Sequence, residues 1–311
     1  MDKSTLDVDL NSFPIWDPNP DLLNLGPITI RYYGVLFAAG LMLGYVLWRW
    51  QMLRAKHNPQ ITEKFLVWGV VAVLAGSRLG HCLFYEPEIY LRNPLKILYI
   101  WQGGLASHGA TIGLILALFL YGRIYKFSVL EVLDRFAMPT CMGAIFVRIG
   151  NFLNSEIVGR VWTGPLAVRF PRYDALNQAG LETRVGHKLG FVAQSLPRHP
   201  SQLYEALGGL AVFLVLLLVD WRLNEKRPRG LLAGLFLLLY FSFRFAVEFV
   251  KEYQRFLKIV PDAQNRILWT EGTAELTMGQ WLSVPFAALG LALVIYALVK
   301  RLPAAVKSPN D

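Results

Sequence analysis

The composition of this chain indicates a membrane protein. It has 311 residues, of which 54% are hydrophobic and only 17% are charged, with a mean hydropathy of +0.39. A soluble domain of this length seldom reaches that balance. The formal net charge is +9 at pH 7. Because the cations flank apolar runs, they are explained as orientation signals, and we expect no nucleic-acid partner.

Seven apolar runs have about the length that a helix needs to cross a bilayer. The sequence therefore predicts an all-α polytopic membrane protein with seven transmembrane helices, at 32–50, 65–85, 104–122, 129–152, 203–220, 231–250 and 279–299. The opening segment is polar, and the first apolar run starts too late and is too long for a signal peptide.

The positive residues predict the orientation of the spans. Clusters of Lys and Arg follow the first, third, fifth and seventh runs. If the spans alternate, these clusters share one side, which is the cytoplasmic side, so the N-terminus lies outside and the C-terminus is cytoplasmic. The predicted parts are an outer N-terminal segment 1–30, helices one to four at 31–154 with an amphipathic arm at 86–103, a small outer head at 155–200, helices five to seven at 201–300 and a cytoplasmic tail 301–311.

Both cysteines fall inside predicted spans. Cys82 and Cys141 have no neighbours spaced as metal ligands, and a disulfide between them is not expected. We interpret them as small apolar packing residues, and we expect no metal site.

Ionisable residues inside the predicted spans mark a functional chamber. Such groups cost several kcal/mol at membrane depth and usually line a cavity or pathway. Except for Asp134 and Arg135, they lie in the outer halves of their spans, so we expect one outward-facing chamber. The set comprises Arg78, His81, His108, Asp134, Arg135, Arg148, Glu205, Arg244 and Glu248.

Two arginines suggest that this chamber binds an anion. Arg148 and Arg244 each offer five donors, more than one carboxylate can fill, and together they would suit a lipid phosphate. Arg148, Asn151 and Ser155 would share one helical face if the helix continues that far. Arg244 and Glu248 are four residues apart, so an alternative is that they only neutralise each other between helices.

His108 lies in the stretch GLASHGATIG. One interpretation is a hydrogen-bonded polar residue near a helix start, and the other is a catalytic base. Nearby glycines would let a helix or an acyl chain approach closely; they are Gly104, Gly109 and Gly113. His81 has no such setting and is interpreted as structural, and His199 as part of a loop-to-helix cap.

Five ordered motifs resemble the prolipoprotein diacylglyceryl transferase family. They are HGATIG around His108, RIGNFLNSEIVGR at 148–160, RHPSQLYE at 198–205, FRFAVEF at 243–249 and MGQ at 278–280. The stretches RYYG at 31–34 and GSRLGHCLFY at 76–85 fit the same pattern. The similarity extends from about residue 25 to residue 300.

The resemblance implies a bacterial inner-membrane enzyme with seven spans, an outward N-terminus and an active site towards the periplasm. The family transfers the diacylglyceryl group of phosphatidylglycerol to the thiol of the lipobox cysteine of preprolipoproteins. The products are a thioether and glycerol phosphate, in the first step of lipoprotein maturation. The implied partners are phosphatidylglycerol, the preprolipoprotein signal peptide and the lipid bilayer, with no cofactor.

Position by position, the resemblance implies three catalytic residues, His108, Arg148 and Arg244. The implied substrate-binding residues are Tyr33, Arg78, Asn151, Asn154, Glu156, Gly159, Glu248 and Lys251. Two positions depart from the family pattern. Ala110 stands where a second glycine is expected, and Lys251 stands where arginine is expected. Lysine keeps the charge but loses the planar fork, so the part of Lys251 in substrate binding is open, and Arg255 could substitute.

Two other functions would also place arginines in a chamber. A transporter or channel for an anionic solute is disfavoured, because the sequence has no pair of matching halves and few polar residues in the inner halves of its spans. A lipid-binding scaffold without catalysis would keep the arginines but would have no use for His108.

Overall fold

The architecture of the chain is helical. The structure is a computed structural model that describes residues 9–26, 28–100, 103–104, 106–174, 195–252 and 276–303. The α-helices within these ranges are α1 (Tyr32–Arg54), α2 (Pro59–Phe84), α3 (Pro87–Arg92), α4 (Ser107–Ile124), α5 (Val129–Leu153), α6 (Ser201–Leu223), α7 (Leu231–Val247) and α8 (Met278–Lys300). Seven of them correspond to the seven apolar runs, and the predicted ends lie within six residues of the observed ends, with the largest difference at the start of α2.

Six of these helices, all but α3 and α4, are long and apolar enough to cross a membrane. The apolar part of α4, His108–Ile124, is shorter. Large apolar side chains on the helices remain exposed, for example Val67 at 64%, Ile112 at 60% and Val299 at 72%. Lipid tails accept such surface, whereas water does not. The chain is therefore a multi-pass membrane protein.

Two short antiparallel ladders accompany the helices. Strands β1 (Asp21–Leu25) and β2 (Ile28–Arg31) pair immediately before α1 begins. Strands β3 (Val168–Arg169) and β4 (Pro197–Arg198) pair within the predicted outer head. Residues 175–194 of that segment lie outside the described ranges.

By its contacts the chain divides into two compact units, and each is considered by itself below. Unit one comprises residues 1–41, 141–213 and 237–289. Unit two comprises residues 42–140, 214–236 and 290–311. Cys141 in unit one and Cys82 in unit two are free and buried, as the sequence predicts.

In unit one, the N-terminal segment is fixed to the end of α5 and to β3. The Trp16 indole donates to the Phe152 carbonyl at 2.8 Å, and the two rings stack with centroids 4.3 Å apart. The Trp16 backbone N–H donates to the Arg169 carbonyl at 2.8 Å. These contacts secure the loop in which the motif at 148–160 continues beyond α5.

In unit two, an aromatic core joins α1, α2 and α4. Trp48 stacks on Phe65 with ring centroids 4.3 Å apart, and Tyr121 meets both rings edge-on. The buried Tyr121 hydroxyl donates to the Ile61 carbonyl at 2.8 Å, which satisfies its polar end. The core contains no ionised group, so it serves packing rather than chemistry.

Helices α2 and α4 of unit two pack with their backbones close together. A Cβ atom at Gly109 would overlap the Gly76 carbonyl oxygen, and one at Gly113 would overlap the Ala72 carbonyl oxygen. The predicted close approach of a helix to Gly109 and Gly113 is confirmed. Gly104 adopts φ +72° beside the His81 ring, a position that only glycine accepts without strain.

A buried ionic network explains the two charges that the sequence placed in the inner halves of the spans. Asp134 accepts the backbone N–H groups of Gly230 and Ala233 at 2.6 and 2.8 Å, so it caps the start of α7. Arg135 donates to Glu131 at 3.1 Å and to Glu225 at 2.9 Å. These partners give both residues structural roles.

Candidate active site

A single carboxylate in unit one bridges three cations. Glu205, in the second turn of α6, is buried, and its Oε1 lies 2.9 Å from Lys251 Nζ and 3.6 Å from Arg244 Nη1. Its Oε2 lies 3.1 Å from Arg148 Nε. The end of α5, the start of α6 and the end of α7 therefore bring the two predicted catalytic arginines together. We call these four residues the Glu205 cluster.

Both arginines keep donors that this carboxylate does not use. Arg148 donates from Nη1 to Asn151 Oδ1 at 3.4 Å, in addition to its Nε contact with Glu205. Among the described residues, no hydrogen bond joins Arg148 Nη2 or the Arg244 guanidinium to a protein acceptor. The Arg244 side chain is 29% exposed, whereas that of Arg148 is 13% exposed. A partly buried guanidinium with unfilled donors is suited to a planar or tetrahedral anion.

The ion pair that the sequence allowed between Arg244 and Glu248 is not the one observed. Helix α7 ends at Val247 and continues as a 3₁₀ turn over Glu248–Val250. A 3₁₀ turn aligns residues three apart, so Glu248 Oε2 lies 3.5 Å from Lys251 Nζ. Arg244 instead faces Glu205. Because of the change in helix type, Arg244 pairs with Glu205 and Glu248 pairs with Lys251.

Glu156 is a further carboxylate, connected to the Glu205 cluster through Asn151. Its carboxylate accepts hydrogen bonds from Asn151 Nδ2 at 3.1 Å and Asn154 Nδ2 at 3.2 Å. Asn151 therefore connects Glu156 to Arg148 through its two amide atoms. The helix does not continue as far as Ser155, so the condition for Ser155 to share this face is not met: α5 ends at Leu153 and Ser155 adopts a left-handed φ of 56°.

The first turn of α6 holds the loop that carries Glu156. Gln202 Nε2 donates to the Glu156 carbonyl at 2.6 Å, and Ser201 Oγ donates to the Ile157 carbonyl at 2.9 Å. Sequence reasoning did not assign Gln202, and it noted Glu205 only as an ionisable residue. Both residues belong to the motif RHPSQLYE, which was the signal available in the sequence. Their contacts could not be predicted, because their partners lie far away in the sequence.

Gly159 sets the backbone position of Lys251. The two residues form an antiparallel bridge, and the Gly159 N–H donates to the His199 carbonyl at 2.9 Å. A Cβ at Gly159 would come within 2.6 Å of the His199 carbonyl oxygen and 2.7 Å of that of Val250. No side chain fits there. The His199 ring stacks on Trp162 at 4.1 Å, consistent with a structural role at the loop-to-helix junction.

Lys251 is buried beside both negatively and positively charged side chains. Burial lowers the pKa of its ammonium group, and the positive charges of Arg148 and Arg244 act in the same direction. The Glu205 carboxylate opposes this shift, and Glu248 is its second ion-pair partner. Lys251 therefore loses its charge at a lower pH than a lysine in water.

Two tyrosines border the cluster. The Tyr33 ring packs against Gly150, where a Cβ would lie 2.7 Å from the ring, and its hydroxyl is in electrostatic range of Glu156 and Arg148. Tyr240, one turn before Arg244 on α7, is in electrostatic range of Arg148, Arg244 and the shared carboxylate. Tyr33 was expected at the site from the sequence, and Tyr240 was not.

Arg78, predicted to bind substrate, anchors the amphipathic arm of unit two. Its guanidinium donates to the backbone carbonyls of Lys96, Ile97, Gly103 and Gly104, at 2.7, 2.9, 2.6 and 3.3 Å. The arm consists of α3 and a 3₁₀ turn at Pro94–Leu98, and exposes Leu91 and Leu95. These bonds explain why a buried arginine is needed there, and a substrate contact by Arg78 stays a prediction.

His108 is exposed in the first turn of α4 and belongs to unit two. Its predicted position beside the two arginines of unit one therefore stays a prediction. His81, which the sequence indicated as structural, lies 3.4 Å from Glu86 through Nε2. In the ranges that the structure describes, no three His, Cys, Asp or Glu side chains converge as metal ligands.

The family model described as prolipoprotein diacylglyceryl transferase matches residues 20–296. The chain belongs to this family. It is 40% identical over 288 residues to the phosphatidylglycerol–prolipoprotein diacylglyceryl transferase of Tolumonas auensis, covering 92% of this chain and 98% of the relative. The enzymes of the same name from Bacteroides fragilis and Chloroherpeton thalassium are each 37% identical, covering 90% and 94% of this chain and 94% and 97% of theirs.

Membership of the prolipoprotein diacylglyceryl transferase family favours an enzyme over the transporter and scaffold alternatives. The names of these relatives specify an anionic phospholipid and a protein as the substrates. A pair of arginines with unfilled donors fits such a lipid. The transporter and scaffold alternatives have no counterpart among these relatives.

Proposed function

We propose that this chain transfers the diacylglyceryl group of phosphatidylglycerol to the lipobox cysteine thiol of preprolipoproteins. The products are a thioether-linked lipoprotein precursor and glycerol phosphate. Family membership supports the reaction class. The observation that carries the proposal to particular residues is the pairing of Arg148 and Arg244 through Glu205, with guanidinium donors left over.

The two arginines bind the lipid phosphate in this proposal. A phosphodiester presents two unbridged oxygens, and two guanidiniums with open donors can each contact one of them. As the bond to the diacylglyceryl carbon breaks, negative charge accumulates on the departing glycerol phosphate. Donors fixed in advance stabilise that charge by a few kcal/mol each.

His108 is the base in this proposal. A cysteine thiol has an ordinary pKa of about 8.5 and is a weak nucleophile until it is deprotonated. Neutral His108 accepts the thiol proton, and the thiolate attacks the glycerol carbon that carries the phosphate ester. A carbon–sulfur bond forms and a carbon–oxygen bond breaks. Glycerol phosphate leaves with the electron pair, so the reaction needs no oxidant and no cofactor.

The proposed location is the bacterial inner membrane, with seven spans. In this arrangement α4 is the third span, the N-terminus and the Glu205 cluster face the periplasm, and the C-terminus is cytoplasmic. The Lys and Arg residues that follow α1, α4, α6 and α8 support this orientation. Phosphatidylglycerol reaches the cluster from the bilayer, and the signal peptide presents its lipobox cysteine from the same membrane.

The test is peptide-dependent release of glycerol phosphate. Purified protein is incubated with phosphatidylglycerol and a lipobox peptide, and both thioether formation and glycerol phosphate release are measured. A peptide with serine in place of the lipobox cysteine is the control, and we expect it to give neither product. Wild-type protein that releases no glycerol phosphate with the cysteine peptide would refute the proposed reaction.

His108→Ala tests the base. We expect loss of thioether formation with phosphatidylglycerol binding largely unchanged, because the imidazole acts on the thiol and not on the lipid. His81→Gln is the matched control, because His81 contacts only Glu86 among the described ion pairs and should leave turnover near that of the wild type. Normal turnover by His108→Ala would remove the proposed base.

A further inference from the structure

The Glu205 cluster and Glu248 together carry a net charge at the place where a phosphate would bind. Three cations, Arg148, Arg244 and Lys251, are in ion-pair contact with the two carboxylates of Glu205 and Glu248. Counted over these described residues, this leaves a formal excess of one positive charge. In the described residues, Glu156 makes no ion pair with these cations and is held by two amides.

The two carboxylates are in an unusual setting. Glu205 Oε2 and Glu248 Oε2 are buried and, within the described residues, accept no well-aligned hydrogen bond, although each lies within ion-pair distance of a cation. A buried carboxylate that served only to anchor cations would gain from filling its acceptors. The arrangement indicates that the negative charge itself has a use.

We propose that Glu205 is a specificity-determining residue that sets the charge of the headgroup site to match a singly charged phosphodiester. This inference rests on the proposed function, and it names the lipid that the site rejects. A diacylglycerol phosphomonoester carries a second negative charge near neutral pH, because its second pKa is about 6. That extra charge would face the Glu205 carboxylate, and repulsion between like charges in a poorly hydrated site disfavours its binding.

A role in headgroup specificity explains why the Glu205 carboxylate accompanies the arginine pair. Arg148 and Arg244 alone would bind a dianion more tightly than a monoanion. Glu205 removes this preference and also holds the guanidiniums in place. An enzyme that uses the diester would gain selectivity by excluding a monoester.

The test measures headgroup preference in binding, independently of turnover. Displacement of a fluorescent phosphatidylglycerol is measured at about pH 8, with phosphatidate as the phosphomonoester and phosphatidylmethanol as the diester. We expect Glu205→Gln to shift the ratio of their affinities towards phosphatidate by about tenfold or more. Glu205→Asp, which keeps the charge, should restore the wild-type ratio. Glu63→Gln is the control, because Glu63 forms an exposed ion pair with Arg49.

A second variant keeps the proposal testable if Glu205→Gln fails to fold. Lys251→Gln removes one positive charge, so the ratio should shift in the opposite direction, towards the diester. Equal ratios in the wild type and in a folded Glu205→Gln, or shifts of the same sign in both variants, would overturn the proposal. The peptide-dependent turnover of the wild-type protein is a separate result. Its absence would refute the proposed reaction and not the charge preference.

Discussion

Substitution of Arg148 by lysine separates the charge of this residue from its geometry. Arg148 contacts Glu205 through Nε at 3.1 Å and Asn151 through Nη1 at 3.4 Å, and in the proposed mechanism its Nη2 binds the lipid phosphate. A lysine keeps the positive charge but has a single nitrogen at the end of its chain. It can replace one of these contacts with good geometry and not all three.

The expected loss follows from the number of contacts. One charge-assisted hydrogen bond to the phosphate contributes about 1.5–3 kcal/mol. Since about 1.4 kcal/mol corresponds to a factor of ten, kcat/KM for phosphatidylglycerol should fall about 10- to 100-fold in Arg148→Lys. The loss should appear in kcat/KM for the lipid, because the lipobox peptide makes no contact with Arg148 in the proposed mechanism.

The assay is glycerol phosphate release at varied phosphatidylglycerol and saturating peptide. Arg49→Lys is the matched control, since Arg49 pairs with Glu63 at 3.1 Å on an exposed surface and such pairs contribute little. An Arg148→Lys enzyme with an unchanged kcat/KM would show that charge alone suffices. The proposed contact between the guanidinium and the phosphate would then be wrong.

Three further substitutions, at Gly159, Gly109 and Lys251, test the packing of the backbone and the charge of Lys251. Gly159→Ala should abolish most activity and destabilise the protein by about 1–3 kcal/mol, because the new Cβ would open the bridge to Lys251. Turnover and thermal unfolding in detergent measure the two effects. Unchanged turnover and an unchanged unfolding temperature would contradict the prediction. Gly109→Val should lower the unfolding temperature, because its Cβ would force α2 and α4 apart at Gly76, and an unchanged temperature would refute the tight packing. The lowered pKa of Lys251 predicts that the wild-type KM for phosphatidylglycerol rises with pH in the alkaline range, as the ammonium loses its proton. Lys251→Arg should remove this rise, because a guanidinium stays charged, and the same slope in both enzymes would exclude Lys251 as its cause.

The helices were predictable because hydropathy is a local property. Each span is determined by about 20 consecutive apolar residues, and the structure has helices at all seven runs. The helices α2 and α6 agree least in length, since α2 has 26 residues where the run 65–85 predicted 21, and α6 has 23 where the run 203–220 predicted 18. Glycines at close helix contacts were also predictable, because α2 and α4 require small residues at regular positions.

The members of the candidate site were partly predictable, since ionisable residues at membrane depth are rare enough to be noticed one by one. Arg148, Arg244 and Lys251 were all identified, and the structure brings them to one carboxylate. The ion pairs that these residues form were not predictable. The sequence allowed, as one alternative, a pair between Arg244 and Glu248 on a continuous α-helix, and α7 instead becomes a 3₁₀ turn at Glu248.

The sequence by itself determined the apolar helices, their apolar surfaces and the list of charged residues that needed an explanation, because each depends on neighbouring residues. Only the tertiary structure decided which charges share a partner. Glu205 became the centre of the site, and Arg78 was assigned to the backbone carbonyls of the arm. Ion pairs join segments far apart in the chain, and their geometry depends on where each helix ends, which hydropathy does not encode.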